Sequence, residues 1–500
     1  MLIIQKLVVL LDEFHLNAFK QFLEDSKANL PKKLVDEVAK YGNNQPDSDV
    51  ICKAIYGKSD EKAKKNFFQL AHHTLKLSFY LARNYPNYLS HNRSKIEQLI
   101  NEGYREEANK IAEILLDVAQ KIEDRVTLVA VLKFFAQQSF HLEQKNQTLK
   151  FHKQIDEVLE SEKIFNNIYL YLRTNFNVKN KSNFNTKSLE PHQNFFEKYE
   201  NHAEFNVRFL ARYGKIYSLT FLQDPSFFSK EKFDELLDLE KELDKNAFVV
   251  FPFLEDILFK LYSVKMEYMF HNMSTEQVME ETLNIMKSAD HVLFWKNFIN
   301  IPEMFALAVQ TSHYISQHLD VYKDNYTSSI PPDTRERIAF LRLRCEELLA
   351  KNFWDEGFHI KRVNLISLYG ALLLLGDKKD LKKATDLIEQ TLVAYQQISF
   401  QKYHDSIFAT LIIGYFALKD YENVSESFKR YKKLTSDNIT NEENDITICA
   451  FYYMSQWLAS GKNQYKEKYA SNLERTLKNS NLKRTRQTLV EMAEYFNLPY

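Results

Sequence analysis

The sequence predicts an all-α protein, an α-solenoid of stacked antiparallel helix pairs. Three observations carry this expectation. Breakers are scarce, with 9 glycines and 10 prolines in 500 residues, far fewer than the turns and bulges of a sheet-rich chain demand. Apolar residues recur at three- and four-residue steps, the spacing of one helix face. In the last third the pattern itself repeats: Leu381, Tyr421 and Tyr465 stand 40 and 44 residues apart. One hairpin per repeat of this length marks a helical solenoid.

The clearest hairpin occupies residues 400–433. Phe408, Leu411, Ile412 and Tyr415 share one face, Asp420 offers an acceptor to cap a second helix, and Tyr421, Val424, Phe428 and Tyr431 line that helix. Amphipathic helices joined by so short a link must lie antiparallel.

The rest of the chain reads in order from the N-terminus. Residues 1–90 form an N-terminal helical module. Its first helix is expected over 3–25, carrying Leu10, Phe14, Phe19 and Phe22, and a second over 31–41 with Pro31 in its first turn. A short helix follows at 48–56. A long one then runs to residue 83, capped by Ser59 or Asp60.

Residues 91–175 continue as helical hairpins, with Gly103 placed where a helix C-terminus wants a left-handed residue and further helices over 126–143 and 149–173. Residues 176–202 are rich in Asn and Lys and contain Pro191, so they read as a loop or boundary. Middle helical repeats fill 203–322, where Ser229 opens one helix and Ser274 with Gln277 forms a capping box. A loop over 323–335 holds Pro331 and Pro332. Asp333 and Glu336 are expected to cap the next helix as a second such box, and the C-terminal repeats run over 336–500.

Composition narrows the function. Hydrophobic residues at 45% and aromatics at 14% supply a continuous core, which argues against disorder. With 66 basic against 67 acidic side chains, net charge is −1, so no global field steers nucleic acid or an anionic membrane. Cys52, Cys345 and Cys449 are far apart and form no CxxC pair, as expected of buried thiols in a reducing, cytoplasmic setting. The apolar run at 7–11 stops at Asp12 and Glu13, too short for a leader. No window approaches the ~20 apolar residues of a membrane helix.

Residues 408–431 resemble a tetratricopeptide repeat. Phe408, Leu411 and Tyr415 match the large, Leu and Tyr positions of its first helix, and Tyr421, Val424 and Phe428 match the Tyr, small and Phe positions of its second. Ile412 stands where that family has Gly, and Val424 where it has Ala. Gly103, Tyr104 and Ala108 match a repeat's turn, with Ala112 replacing an aromatic, and Gly376 with Ala384 fits if the turn carries three more residues. The resemblance implies side-to-side stacking of helix pairs, a concave surface made largely by first helices, and binding of peptides or proteins without chemistry. Residues Phe14, Phe19, Phe22 and Leu23 also resemble the N-terminal module of a bacterial all-helical family with no assigned chemistry.

Candidate chemistry is thin, and each case has a plainer reading. Gly57-Lys58-Ser59 ends like a phosphate-binding loop, but position 52 is Cys and no strand precedes it, so a helix end with a Ser cap explains it better. His72 and His73 are adjacent on a helix and point about 100° apart, unlike metal pairs at three- or four-residue spacing. One is expected to be partly buried and the other solvated.

Asp290 and His291 beside Trp295 could form an acid–base pair, although no nucleophile accompanies them. Glu255 and Asp256 are acidic among apolar neighbours; a helix after Pro252 with a charged edge accounts for them. Tyr262, Met266, Tyr268, Met269, Phe270 and Met273 form a stripe that suits either a partner helix or the core.

Between 462 and 486, Lys462, Lys466, Lys468, Arg475, Lys478, Lys483, Arg484 and Arg486 oppose only Glu467 and Glu474. The expected function is a non-enzymatic helical-repeat scaffold for a protein or peptide partner, with no catalytic residue, cofactor or metal. The alternative is a regulatory or nucleic-acid-associated protein using the basic 462–486 face. An all-helical enzyme relying on His291 or the Glu255/Asp256 pair ranks behind both.

Overall fold

The computed structural model describes residues 2–42, 44, 46–85, 87–176, 186–221, 229–288, 301–323, 326–350, 359–394, 404–435, 442–477 and 483–498. Every regular element among them is helical, and no strand occurs. The chain forms two compact units, one of Met1–Val278 with Lys287–Pro302 and one of Met279–Met286 with Glu303–Tyr500.

In the first unit, Ile3–Leu10 buries Ile4, Leu7, Val8 and Leu10 and packs against Arg105–Ile122, Asn29–Tyr41 and Glu61–Leu77. The single helix expected over 3–25 is in fact two. Asp12 turns its carboxylate onto the His15 N–H at 2.8 Å and so caps a new helix, Glu13–Asp25. Asp60, not Ser59, caps Glu61–Leu77, accepting from Ala63 N–H at 2.8 Å. That helix also stops short of residue 83. Ser78 donates its hydroxyl to the Leu75 carbonyl at 2.7 Å, a local bond that competes with the helical ladder, and a short helix Phe79–Asn84 follows.

Gly103 plays the part expected of it. At φ +90° it lets Tyr104 N–H return to Leu99 O at 2.8 Å and close Ser90–Asn101. Arg125–His141 and Lys145–Asn175 are then joined by three residues and pack closely along their length.

Half of the 176–202 stretch departs from the expected loop, because Thr186–Glu197 is a helix with Pro191 inside it. A mid-helix proline removes a hydrogen bond, so tertiary packing must compensate. Phe196 is fully buried, and Tyr171 stacks on Phe195 with ring centroids 4.0 Å apart. The neighbouring helix Phe205–Leu219 presents Gly214 to the Phe196 ring; a Cβ built there would lie 2.6 Å from that ring.

The Ser274/Gln277 box forms as expected, with Ser274 N–H donating to Gln277 Oε1 at 2.9 Å and Gln277 N–H to Ser274 Oγ at 3.3 Å. The Asp333/Glu336 box does not. Pro332 starts that helix, Pro332–Leu349, with Pro331 at the cap and no capping side chain. Proline's fixed φ suits the first helical position, and Asp333 serves instead as an acidic residue in the first turn.

In the second unit, Pro332–Leu349, His359–Leu374, Lys378–Ala394, His404–Ala417, Tyr421–Thr435, Glu442–Ser460, Asn463–Leu477 and Lys483–Tyr495 follow one another. Each packs on the next. A second set of contacts skips one helix: His359–Leu374 touches His404–Ala417, which touches Glu442–Ser460, which touches Lys483–Tyr495. One buried cluster runs through them all.

His404–Ala417 has no exposed residue among those described. Its Gly414 comes so close to Lys378–Ala394 that a Cβ would meet Thr385 Cγ2 at 2.8 Å. Val321, Tyr322 and Ile330 belong to the same cluster, and Tyr326 donates its hydroxyl to Leu374 O and Gly376 O at 3.0 and 2.7 Å. Phe496 lies 6.4 Å from the rings of both Phe416 and Tyr322. These side chains help cover His359–Leu374 and His404–Ala417.

Substituting Gly214→Ala should lower stability by about 2 kcal/mol, because overpacking against Phe196 outweighs the ~1 kcal/mol gain in helix propensity. Denaturant unfolding of Gly214→Ala with and without Phe196→Leu checks this. The second change should cost less in the Gly214→Ala background than in the wild type.

Candidate functional site

The densest convergence of metal-ligating groups among the described residues was not foreseen from the sequence. Asp12, His15 and His91 bring one ligand atom each to within 4.8 Å of one another. Asp12 caps Glu13–Asp25 and His15 sits in its first turn, while His91 opens Ser90–Asn101. Asn92 holds these segments together: it is buried, and its side-chain amide donates to Leu10 O at 2.9 Å and to Leu89 O at 3.2 Å. His15 Nδ1 lies 2.8 Å from Asp12 Oδ1. His91 Nδ1 lies 3.6 Å from Asp12 Oδ2, beyond an ordinary hydrogen bond.

The two imidazoles stand nearly parallel at 17°, with centroids 6.4 Å apart. Phe14 and Tyr85 press edge-on against His15, each 5.2 Å away. Burial holds His91 below the usual histidine range, with Asp12 and the Tyr88 backbone pulling the other way. For Asp12, burial pushes upward, but hydrogen bonds from the His15 backbone and ring leave the carboxyl below its ordinary value. All three side chains keep partial access to solvent, 36% for Asp12, 17% for His15 and 31% for His91. The His91 Nδ1 atom itself is shielded from solvent.

A second feature is a cleft of about 480 Å³ lined by residues that include Gln120, Leu128, Gln154, Glu157, His202 and Glu204. At its edge Arg125 is buried against Glu204, with Nη2 to Oε2 at 2.6 Å, and also donates to Asn206 at 2.5 Å. Its guanidinium lies over Phe165 at 5.3 Å. Glu123 ties the same corner. Its backbone ends Arg105–Ile122 in the left-handed region at φ 54°, and its carboxylate accepts the Phe205 and Asn206 N–H groups at 2.6 and 3.2 Å. Burial raises its pKa, with the two N–H groups opposing. These are structural bonds joining three helices.

A third feature is apolar exposure. Phe140, Leu142 and Leu149, exposed by 70%, 62% and 58%, flank or occupy the turn at 142–144 that joins two packed helices, and Phe135 stacks on Phe151 across the same pair at 5.5 Å. Lone exposed apolar residues are ordinary, whereas a cluster suits a partner.

Gly57 is a left-handed C-cap and Lys58 pairs with Asp60 at 2.5 Å, so this is a helix end. His72 and His73 are both exposed, contrary to the expected split; His72 meets Phe248 edge-on at 5.9 Å. Neither has the other as a partner for an ion, since their side chains diverge.

Tyr262, Met266, Tyr268 and Met269 are core, while Phe270 is exposed. On the basic stretch, Lys466 lies over Trp457 at 4.7 Å and Arg475 turns inward to Asp445. Asp290, His291, Trp295 and Lys478 lie outside the described residues, as do the side chains of Glu255, Asp256, Lys483 and Arg484.

No protein-family model matches this chain, and no curated protein sequence is significantly similar to it. No helix among the described residues is long and apolar enough to cross a membrane.

Asp445 is a buried polar node of the second unit. Its side chain is 1% exposed and joins three helices, receiving Tyr431 Oη at 3.0 Å, Lys432 Nζ at 2.8 Å and Arg475 Nη1 at 3.1 Å. Burial works to raise its pKa, but Lys432, Arg475 and Tyr431 together hold it below the usual aspartate range.

Asp445→Asn should cost about 2 kcal/mol, a figure reduced because both cations stay partly hydrated. A lowered folded-state pKa contributes stability above the unfolded value, and that contribution is lost as pH falls through the folded one. The wild-type advantage over Asp445→Asn should therefore hold from about pH 7 to 5 and shrink below about pH 4. Denaturant unfolding across that range checks it.

Proposed function

We propose that this chain is a non-enzymatic helical-repeat scaffold, an α-solenoid in its second unit, that binds a protein partner. The observation that supports it is the contact order of the second unit, where each hairpin's first helix packs on its own second helix and on the first helix of the next hairpin. That nearest-neighbour pattern is how stacked hairpins bury a continuous core. The tetratricopeptide resemblance at 408–431 points the same way. The three cysteines are free and buried, which supports a reducing, cytoplasmic setting.

The resemblance implies a ligand surface on the first helices, but His359–Leu374 and His404–Ala417 have no exposed residue among those described. The partner face is better placed in the first unit, at Phe140, Leu142 and Leu149. The nucleic-acid alternative is weakened because Arg475 is spent on a buried carboxylate and Lys466 on an aromatic ring. Surface cations engaged in this way release fewer counterions on meeting phosphates.

The test immobilises the full chain and a Phe140→Ser, Leu142→Ser, Leu149→Ser variant of matched thermal stability, and exposes both to lysate of the source cell. The expected result is saturable retention of a defined protein by the wild type, reduced at least tenfold by the variant. Equal retention by both would move the partner face elsewhere. Salt-sensitive retention of nucleic acid alone would replace the proposal with its rival.

A further inference from the structure

We propose that Asp12, His15 and His91 form a binding site for a single late first-row divalent cation, Zn²⁺ above all. Two imidazoles and one carboxylate are a donor set that such ions favour and that Mg²⁺ and Ca²⁺, which prefer all-oxygen shells, do not. Three protein ligands leave a fourth position of a tetrahedral ion for water.

Spacing supports the assignment. Ligand bonds of about 2.0–2.2 Å place neighbouring donors roughly 3.3–3.5 Å apart in a tetrahedron, and the three donors already lie within 4.8 Å of one another. Binding would lengthen the 2.8 Å His15–Asp12 contact slightly and draw in His91. That adjustment is a rotation of side chains, because the backbones are already held in place by the Asn92 bond to Leu10 O.

The site is also built to present its ligands. Asp12 keeps its helix cap through Oδ1 while Oδ2 faces His91. Phe14 and Tyr85 pack T-shaped with the His15 ring, at 5.2 Å each, and restrict its rotation.

Opposing these gains, the ion would sit near the positive ends of two helices with one carboxylate to offset its charge. Affinity should therefore fall short of that of cysteine-rich structural sites. Occupancy would cross-link Glu13–Asp25 to Ser90–Asn101 and so brace the N-terminal helices on the rest of the first unit.

The experiment uses the untagged full chain and titrates Co²⁺ and Zn²⁺ alone, following cobalt visible absorption and calorimetric stoichiometry, with Mg²⁺ for comparison. One equivalent of Co²⁺ per chain should bind with micromolar affinity and be displaced by Zn²⁺. Zn²⁺ should raise the melting midpoint and Mg²⁺ should leave it in place. His15→Ala and His91→Ala should each weaken binding at least tenfold, while His152→Ala, at an exposed position elsewhere, should not. Far-ultraviolet circular dichroism shows whether each variant is folded. The proposal is overturned if the wild type takes up no stoichiometric Co²⁺ at 100-fold excess over micromolar levels, or if folded His15→Ala and His91→Ala bind as the wild type does.

Discussion

His404–Ala417 has almost no face left for water, and the arrangement of the second unit follows from that constraint. An amphipathic helix needs one apolar neighbour, but a helix apolar all round must be enclosed. Lys378–Ala394, Tyr421–Thr435, His359–Leu374 and Glu442–Ser460 supply the enclosure. Gly414 permits it, since a side chain there would collide with Thr385. Among its neighbours, His359–Leu374 likewise shows no exposed residue among those described, whereas the second helices keep polar outer faces and bury one stripe each. Tyr421–Thr435 behaves in this way, burying Val424, Ser427, Tyr431 and Thr435.

Polar groups then fix the register that apolar contact leaves loose. Asp445 ties its own helix to the ones before and after it through Tyr431, Lys432 and Arg475, and Arg342 reaches Leu372 O and Asp380 from Pro332–Leu349. A buried carboxylate without such partners would be costly, so these bonds discriminate against slipped packings. In the first unit Glu123 serves the same end by ending one helix and capping another.

Much of this could be read in the sequence wherever the signal was local. Asp420 caps its helix through the Asn423 N–H at 3.2 Å, the Ser274 box forms, Gly103 closes its helix, and the Met/aromatic stripe is mostly core. What escaped depended on tertiary context. The helix at 186–197 was masked by Pro191 and a run of Asn and Lys, because the rings that stabilise it, Tyr171 and Phe196, find partners only after folding. Asp12 was hidden inside an apolar periodicity that continued across it. The Asp12–His15–His91 cluster joins positions far apart in the chain, and only the three-residue step from Asp12 to His15 hinted at it.

Hydrogen exchange on the intact chain tests the enclosure of His404–Ala417 most directly. In a stack whose stability is set by neighbours, protection should be greatest at this central helix and fall through Glu442–Ser460 and Asn463–Leu477 toward Lys483–Tyr495. If amides of 404–417 exchanged as fast as those of 483–495, the stacked-hairpin account would be contradicted.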